Sequence, residues 1–449
     1  MTGGMTNTVA VVGGGPAGLA AALALAGRGL RPIVLEADAG PGGRARADVV
    51  GEFRFDRGAE FVASFYRPAR ALVERLGLTA SLRRVPLDGD VSVGGRRHRL
   101  PASPWSVFAT PLLSLRSKAR LWTFGMASLR WRRSLRWDRL ERAARLDDRS
   151  ASEYFAERVG TDYVEFLLRP TLECLALSPA AGTSRVVALS QAREAIGAKL
   201  LCPPGGVGRI FEEAARRVEF RPLHEVARVG RTDRGVRVEL AGGGALEAAG
   251  AVIAVPPPVV VRISPPDLPE AAAAACARWA PAVKLHLALE TQVANARPVC
   301  PAGPGEHALA GVGFLEAKRT DQAPTGRSGV NVCASPALSR ALLEASDDEV
   351  ETRLRLEAER LLGFALPRAS ARSIVRLEVG VPLFHPGWIR TLAGLRAEAS
   401  PAPIAFAGDW LGSPSLDGAI RTGEEAAGRV AEWLRSGTGA LEDHGRDGG

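Results

Sequence analysis

The chain has 449 residues, 46% of them hydrophobic and 24% charged, which is the composition of a globular protein large enough for two or more domains with ample core. Its formal net charge is +9, and no run of eighteen apolar residues occurs, so a protein built on membrane-spanning helices is excluded. Five cysteines, at 174, 202, 276, 300 and 333, stand far apart without a C-x-x-C or Cys/His grouping, which points to reduced thiols, a cytoplasmic setting and no metal site.

Thr8 to Val12 reads as an apolar, β-branched strand. Gly13-Gly14-Gly15-Pro16-Ala17-Gly18 follows as a glycine turn, then an Ala/Leu helix to Ala26, a second strand from Pro32 to Leu35, and an acid, Glu36. Gly13, Gly15 and Gly18 have the G-x-G-x-x-G spacing. The first allows a tight turn, the second a close approach of backbone to pyrophosphate, and the third close packing of helix on strand. In a chain with 50 glycines that spacing alone would arise by chance about 0.6 times. The strand, helix, second strand and acid around it carry the reading of an adenine-dinucleotide site. Leu19 to Ala26 is apolar, but no basic region precedes it and its glycines belong to the turn, so it is not read as a signal peptide.

Gly40 to Arg46 suits a loop passing close to phosphates, with Gly42-Gly43 giving backbone access and Arg44 giving charge. Phe53 to Phe61 reads as a short strand entering small residues, among them Gly58, Ala59 and Glu60. Residues 66–78 carry Leu72, Val73, Leu76 and Leu78 on one helical face. Val91 to Leu100, with Gly94-Gly95 inside, reads as a hairpin, and residues 104–200 as mainly helical.

Within that stretch, residues 112–146 hold ten Lys/Arg and two acids, nearly the whole charge excess, together with Trp122, Trp131 and Trp137. A basic helical segment with tryptophans can make peripheral contact with an anionic membrane surface. The alternative is a surface helical pair whose apolar side is core. No nucleic-acid module accompanies the patch, so a nucleic-acid partner is not expected. Asp147 to Phe155 offers an N-cap with an acid three residues on.

Pro203 to Arg209 is a loop opening a helix, Ile210 to Val218. From Glu225 the pattern alternates through Val226, Val229 and Gly235 to Leu240. A glycine turn and the apolar Ala251 to Val255 follow, ended by three prolines: a β-meander returning to the nucleotide domain. Residues 280–395 mix strands at 283–289, 330–334 and 373–378 with a helix at 347–362 that is acidic at its start. Ile404 to Asp409 is a strand ending in Gly408-Asp409. Ser415 to Ile420 opens the last helix, expected to run to about Leu434, and the Gly- and charge-rich tail 436–449 is expected to be disordered.

These blocks, in this order, resemble the flavin-containing amine oxidoreductase superfamily, which includes monoamine oxidases, protoporphyrinogen oxidases and carotenoid desaturases. The resemblance rests on Gly13-x-Gly15-x-x-Gly18 with Glu36, Gly42-Gly43-Arg44, Gly58-Ala59-Glu60, the Val226 meander, and Gly408-Asp409 with Asp417-Gly418-Ala419. It implies an α/β protein. A Rossmann-like FAD-binding domain would be assembled from 1–75, 202–265 and 396–435. An inserted α+β substrate-binding domain would comprise 76–201 (with its helical part at 104–200) and 266–395. The implied cofactor contacts are Gly13, Gly15, Pro16, Ala17 and Gly18 at the pyrophosphate, Glu36 and Ala37 at the adenosine ribose, Gly43 and Arg44 along the pyrophosphate and ribityl chain, and Val226 near the adenine. Gly58, Ala59 and Glu60 are further contacts. Gly408 and Asp409 would approach the ribityl chain, and Asp417, Gly418 and Ala419 the flavin edge, where a helix N-terminus stabilises negative charge. No cysteine lies between 380 and 420, so the FAD is expected to be non-covalent.

Trp279 to His286 is similar to the strand on which amine oxidases place a lysine that holds a water near flavin N5, which implies that Lys284 assists reoxidation by oxygen. His385 is a second candidate, as a proton acceptor, against the plainer reading of a structural histidine before Pro386-Gly387. The sequence also departs from the monoamine oxidases. Their two flavin-flanking tyrosines fall on Gly380 and Ser415, so the aromatic cage is missing unless Phe384 or Trp410 replaces it. Pro382 to Gly387, and Arg99 through Leu113, are nearer to protoporphyrinogen oxidases and desaturases. The resemblance therefore implies an FAD-dependent oxidase or dehydrogenase acting on a C–N or C–C unit of a lipophilic or ring-containing small molecule. Electrons would leave to oxygen or a quinone-like acceptor, since no second dinucleotide fingerprint is present. The alternatives are a polyene desaturase or isomerase, and a non-catalytic lipid carrier sharing the fold.

Overall fold

The computed structural model describes residues 7–443 apart from 87, 102 and 132, with 104, 127 and 438–443 described by their backbone alone. In chain order, β1 (Thr8–Val12), α1 (Pro16–Ala26) and β2 (Arg31–Leu35) are followed by β3 (Phe53–Asp56) and α2 (Arg67–Arg75). The helical stretch includes α3 (Leu115–Ser128) and α4 (Arg185–Ala195). Then come β4 (Glu219–Arg221), β5 (Val226–Thr232), β6 (Gly250–Ile253), β7 (Arg278–Leu289), β8 (Gly329–Ala334), α5 (Asp347–Leu362), β9 (Ala369–Leu383), β10 (Ile404–Phe406) and α6 (Leu416–Asp443).

A five-stranded sheet has the order β4-β2-β1-β6-β10, with every neighbouring pair parallel. β1, β6 and β10 are buried at every position, as strands covered on both faces must be, which is why they read as unbroken apolar runs. α1 packs against this sheet and against α6, which itself packs on β6 and β10. Three stretches far apart in sequence thus supply one sheet. β4 was not expected: the helix expected at Ile210–Val218 spans Gly208–Ala215, and the chain beyond it turns into that short strand.

A seven-stranded sheet contains β7 between β8 and β9, both antiparallel to it. The period of two along β7 separates two environments. Val283, Leu285, Leu287 and Leu289 join the apolar cluster that includes Val350, Leu354, Ala358 and Leu362 of α5. Lys284 and His286 project from the opposite face. β7 and β9 are longer than the expected strands, because β9 carries Gly380 and Pro382 inside it. It is an edge strand, where proline is tolerated.

The expected hairpin forms from Asp90–Val93 and Arg96–Arg99, and Ser150 with Glu153 makes a reciprocal capping box at the helix Ala151–Arg158. The last helix, expected to end near Leu434, runs to Asp443; residues 444–449 lie outside the described ones. Residues 112–146 divide. Leu121, Phe124, Leu135, Trp137 and Leu140 pack into the core, whereas Leu115, Trp122, Met126 and Leu129 are 55–84% exposed. The last four lie along one side of α3 and its continuation, and Arg132 of this segment lies outside the described residues. Among the described residues no helix is long and apolar enough to cross a membrane.

Candidate active site and cofactor cradle

The carboxyl ends of β1, β2, β6 and β10 lie side by side, and the residues that follow them form one rim, as ligand sites do in parallel α/β sheets. Gly13 donates its N–H to the Leu35 carbonyl (2.8 Å). A Cβ on Gly18 would stand 1.8 Å from the Gly13 carbonyl oxygen, so α1 approaches the turn as closely as only glycine allows. In front of Gly15 the space is open: a Cβ there would meet no atom within 4 Å. Gly15 is also the N-cap of α1 and supplies no capping side chain. Ala17 and Gly18, in the first turn after Pro16, therefore keep backbone N–H groups for an anion at the positive end of the helix.

Glu36 closes the rim. Its carboxylate accepts from Gly14 N (2.6 Å) and Asp38 N (2.8 Å); burial raises its pKa, and these hydrogen bonds oppose the rise. The next residue, Ala37, is exposed. His224 N donates to the Glu36 carbonyl (2.7 Å), which brings Val226, the buried first residue of β5, beside the same acid.

Arg44 ties the rim together. It makes a bidentate pair with Asp409 (2.8 Å on both arms) and donates to the Gly380 carbonyl (3.0 Å). Gly43 leans on the glycine turn, its Cβ position being 3.5 Å from Gly15 Cα. Gly408 N donates to Thr422 Oγ1 of α6 (3.0 Å). At the start of α6 a Cβ on Gly418 would fall 2.1 Å from the Ser413 carbonyl oxygen, and Ala419 is buried.

Asp417 is fully buried there. Its Oδ1 accepts from Ala69 N (3.1 Å), and Oδ2 has no protein partner. Burial, reinforced by Asp138, pushes its carboxyl up to about 7 against the hydrogen bond from Ala69. The unfolded chain releases this proton near its ordinary value of 3.8, and the folded chain only near 7. The group therefore costs stability progressively as pH rises between those values. Asp417→Asn is expected to lose less stability than wild type over that rise, by up to about 4 kcal/mol at ~1.4 kcal/mol per pK unit. Urea melts of both proteins at pH 5 and pH 8 would check this.

Beyond Arg44 the rim meets the polar face of β7. A Cβ on Gly58 would lie 2.4 Å from the Arg44 carbonyl oxygen, and Ala59 N donates to that oxygen (3.4 Å). Lys284 Nζ donates to the Gly58 carbonyl (3.4 Å) and to Glu60 Oε1 (3.3 Å). Lys318 Nζ contacts Glu60 Oε2 and Asp56 Oδ2, both at 3.0 Å. Asn331 donates to Glu60, and Gln322 Nε2 to Asp56 (2.9 Å). Burial alone would raise the Glu60 pKa, but Lys318 and Lys284 hold it at about 2. The same two carboxylates raise the Lys318 ammonium well above its ordinary value despite burial. His286 stacks on Phe55 (4.6 Å between centroids), and burial with the neighbouring Lys284 lowers it to about 3, so it is neutral.

The expected residues thus converge except one. His385 follows β9, whose Leu383 pairs with Arg278, six residues along β7 from Lys284; at ~3.3 Å per residue the separation is roughly 20 Å. His385 and Lys284 do not share one reacting centre. His385 sits instead beside Trp388 (5.9 Å), half-buried, and burial lowers its pKa. Glu60, a cofactor contact by resemblance, spends its carboxylate on two lysines and an asparagine. Asp56, Lys318 and Asn331 were missed. Asp56 stands in an alternating strand, which could have been a signal; Lys318 had none. The sequence also hid a pair of thiols: the sulfurs of Cys174 and Cys300 lie 3.2 and 3.5 Å from the Cβ position of Gly311.

The two cage positions have physical explanations. At Gly380 any Cβ would lie 2.8 Å from the Ala280 carbonyl oxygen, beside a bulge between β7 and β9, so a tyrosine has no room. At Ser415 the hydroxyl accepts from Trp137 Nε1 (3.0 Å), and Tyr66 stacks on Trp137 (6.3 Å, 7° between planes). The aromatic surface near the start of α6 therefore comes from elsewhere in the chain. Phe384 and Trp410 do not supply it: both are core residues, 1% exposed.

A sequence model described as flavin containing amine oxidoreductase matches residues 16–431. The chain belongs to that family. It is 29% identical over 169 residues to protoporphyrinogen oxidase 2, chloroplastic/mitochondrial, of Arabidopsis thaliana, a match covering 36% of this chain and 31% of that protein. It is 39% identical over 101 residues to all-trans-zeta-carotene desaturase of Myxococcus xanthus, covering 20% of this chain and 18% of the desaturase. The matches therefore span less than a third of either relative. A solved structure of a candidate protoporphyrinogen oxidase from Exiguobacterium sp. 255-15 superposes with a TM-score of 0.75 at 20% identity, over 95% of this chain and 99% of that one, a likeness of fold.

The residues fit the FAD of a flavin-containing amine oxidoreductase. The open space at Gly15, the uncapped first turn of α1 and the Arg44–Asp409 pair suit a dinucleotide pyrophosphate. The start of α6 offers a second helix N-terminus farther along the rim.

Proposed function

We propose that this flavin-containing amine oxidoreductase takes a hydride from a C–N or C–C unit of a lipophilic or ring-containing small molecule, with non-covalent FAD as its redox group and oxygen or a quinone-like compound as final acceptor. One observation carries the reading. A continuous set of contacts runs from the Gly13–Gly18 turn through Arg44 and Gly58 to Lys284, so the dinucleotide cradle and a buried ammonium share one rim. When bound, the flavin supplies two-electron chemistry that no side chain here can perform. The chain's residues do the rest. The first turn of α1 and Arg44 would hold phosphate charge, and the start of α6 would stabilise negative charge on the bound flavin. Lys284, fixed by Gly58 and Glu60, holds a water and stabilises anionic reduced oxygen. Tyr66, only partly buried where it stacks on the core residue Trp137, presents an aromatic face to an apolar substrate.

Anaerobic mixing with porphyrinogens, polyenes and cyclic or indolic amines tests the reading. One class should bleach the flavin absorbance near 450 nm, an approximate position common to bound flavins. A colourless protein that cannot be reconstituted with FAD would refute it. Lys284→Met is expected to slow reoxidation by oxygen about 100-fold, with flavin reduction changed far less, on the scale of a lost positioned electrostatic group. Stopped-flow measurement of the two half-reactions checks this, and an unchanged oxygen rate would remove Lys284 from that role.

A second reading, a polyene desaturase or isomerase, is favoured by the 39% identity to the carotene desaturase. The exposed stripe Leu115, Trp122, Met126 and Leu129 on a basic helix supports peripheral contact with an anionic membrane as the source of such a substrate.

A further inference from the structure

Between α2, α4 and the chain before residue 146 lies a cavity of about 460 Å³, open to solvent and lined by Arg67, Arg133, Arg136, Arg142 and Arg193. The arginines come from separate elements. Arg67 is the first residue of α2, Arg133 and Arg136 stand in the turn before the 3₁₀ segment Trp137–Leu146, Arg142 lies in that segment, and Arg193 is in the last turn of α4. Two carboxylates hold three of them. Asp138 binds Arg136 in fork-to-fork fashion (2.9 and 2.6 Å) and Arg67 (3.1 Å), and Glu194 binds Arg193 (2.8 Å). Neither Arg133 nor Arg142 pairs with an acid among the described residues. Five guanidiniums against two carboxylates leave an excess of three positive charges around one small concavity.

Such an arrangement costs electrostatic repulsion, and the two acids hold the guanidiniums in place rather than neutralise them. Arginine keeps its charge at any physiological pH and presents paired N–H donors that match the oxygens of a phosphate. A monoanionic carboxylate would leave two charges uncompensated, whereas a phosphate dianion or diphosphate answers the excess. The cavity is too small for a nucleic-acid backbone, which needs an extended track of cations. We infer that this cavity is a binding site for a small ligand bearing a dianionic phosphate or diphosphate group, either free in solution or as a lipid headgroup. The site is joined to the flavin rim. Arg136 precedes Trp137, which donates to Ser415 at the start of α6, and Arg67 follows Tyr66, which stacks on Trp137.

Calorimetric titration of the FAD-loaded protein with inorganic pyrophosphate at low ionic strength tests this independently of any turnover. One site per chain is expected, weakened at least about tenfold in Arg133→Ala/Arg142→Ala, a pair whose removal breaks no ion pair. Arg116→Ala/Arg120→Ala removes equal charge from α3 outside the cavity and is expected to leave the affinity within about twofold. Vesicles of phosphatidylcholine with phosphatidic acid or with phosphatidylglycerol, at matched surface charge, separate the sources. Selective loss of phosphatidate binding in the cavity variant, with no pyrophosphate binding in wild type, assigns a lipid headgroup. Pyrophosphate binding without vesicle selectivity assigns a free ligand. Equal weakening by both double variants, or no difference between wild type and the cavity variant in either arm, overturns the inference.

Discussion

Gly18→Ala is expected to yield a colourless protein of sharply reduced stability. The added methyl would stand 1.8 Å from the Gly13 carbonyl oxygen and 3.0 Å from its carbon, both backbone atoms that no rotamer change can move away. Relief requires α1 to lift from β1 and carry its first turn with it, along with the N–H groups proposed to hold the pyrophosphate. Overpacking against fixed atoms costs about 1–3 kcal/mol, and more where backbone must shift. Gly15→Ala is the informative contrast. Its Cβ meets nothing within 4 Å, and its φ of −76° suits alanine, so that variant should fold normally and lose FAD affinity alone. Flavin absorbance per chain and urea midpoints, taken on both variants, separate lost packing from lost binding. A yellow Gly18→Ala protein with a wild-type midpoint would contradict the packing argument.

Lys318→Met should be at least as damaging, for an electrostatic rather than a steric reason. Lys318 is buried between Asp56, whose side chain is inaccessible to solvent, and Glu60. Removing the cation leaves a buried carboxylate uncompensated, which costs about 3–5 kcal/mol. The pH dependence carries a signature. In wild type the folded-state pKa of Glu60, about 2, is below its ordinary 4.5, so its contribution is present above 4.5 and lost as pH falls toward 2. Without Lys318 that depression shrinks, and the stability gap between the two proteins should narrow as pH falls through the same window. Urea denaturation at pH 7 and pH 3 would reveal it; a constant gap would assign the effect to packing alone.

The half of the candidate site proposed to hold adenosine is legible because it is local. A strand, three glycines, a helix and an acid occupy 29 consecutive residues, Thr8 to Glu36, and each has a steric or electrostatic job that its neighbours reveal. The catalytic end was half legible. Lys284 sits on a strand whose alternation marks it as facing away from the leucines. Its surroundings were hidden, because Asp56 and Lys318 pair across 262 residues and no local pattern announces such a contact. The same applies to Trp137, whose indole reaches a serine 278 residues later. Strand lengths were underestimated where glycine and proline punctuate β9, since their meaning depends on being at a sheet edge. The end of α6 was misread because glycines near its end resemble a tail when the helix axis is not in view.

The two-sided character of β7 constrains how this family member can change. One face of the strand carries Lys284 and His286, and the other faces α5 with Val283, Leu285 and Leu287. Deleting or inserting a single residue ahead of Lys284 would exchange the faces, driving an ammonium into the leucine cluster and a leucine toward Glu60. Substitution along β7 is graded, but its length is all or nothing. Ahead of Lys284 the pairing with β9 slips once, at a bulge where Ala280–Ala282 of β7 lies against Leu377–Val381 of β9, so the partner strand carries the extra residues and a change in β7 can be taken up there. A lineage of this protein can therefore lengthen or shorten β7 before that bulge, whereas from Ala282 to Lys284 the reading frame of the sheet is as fixed as that of a gene.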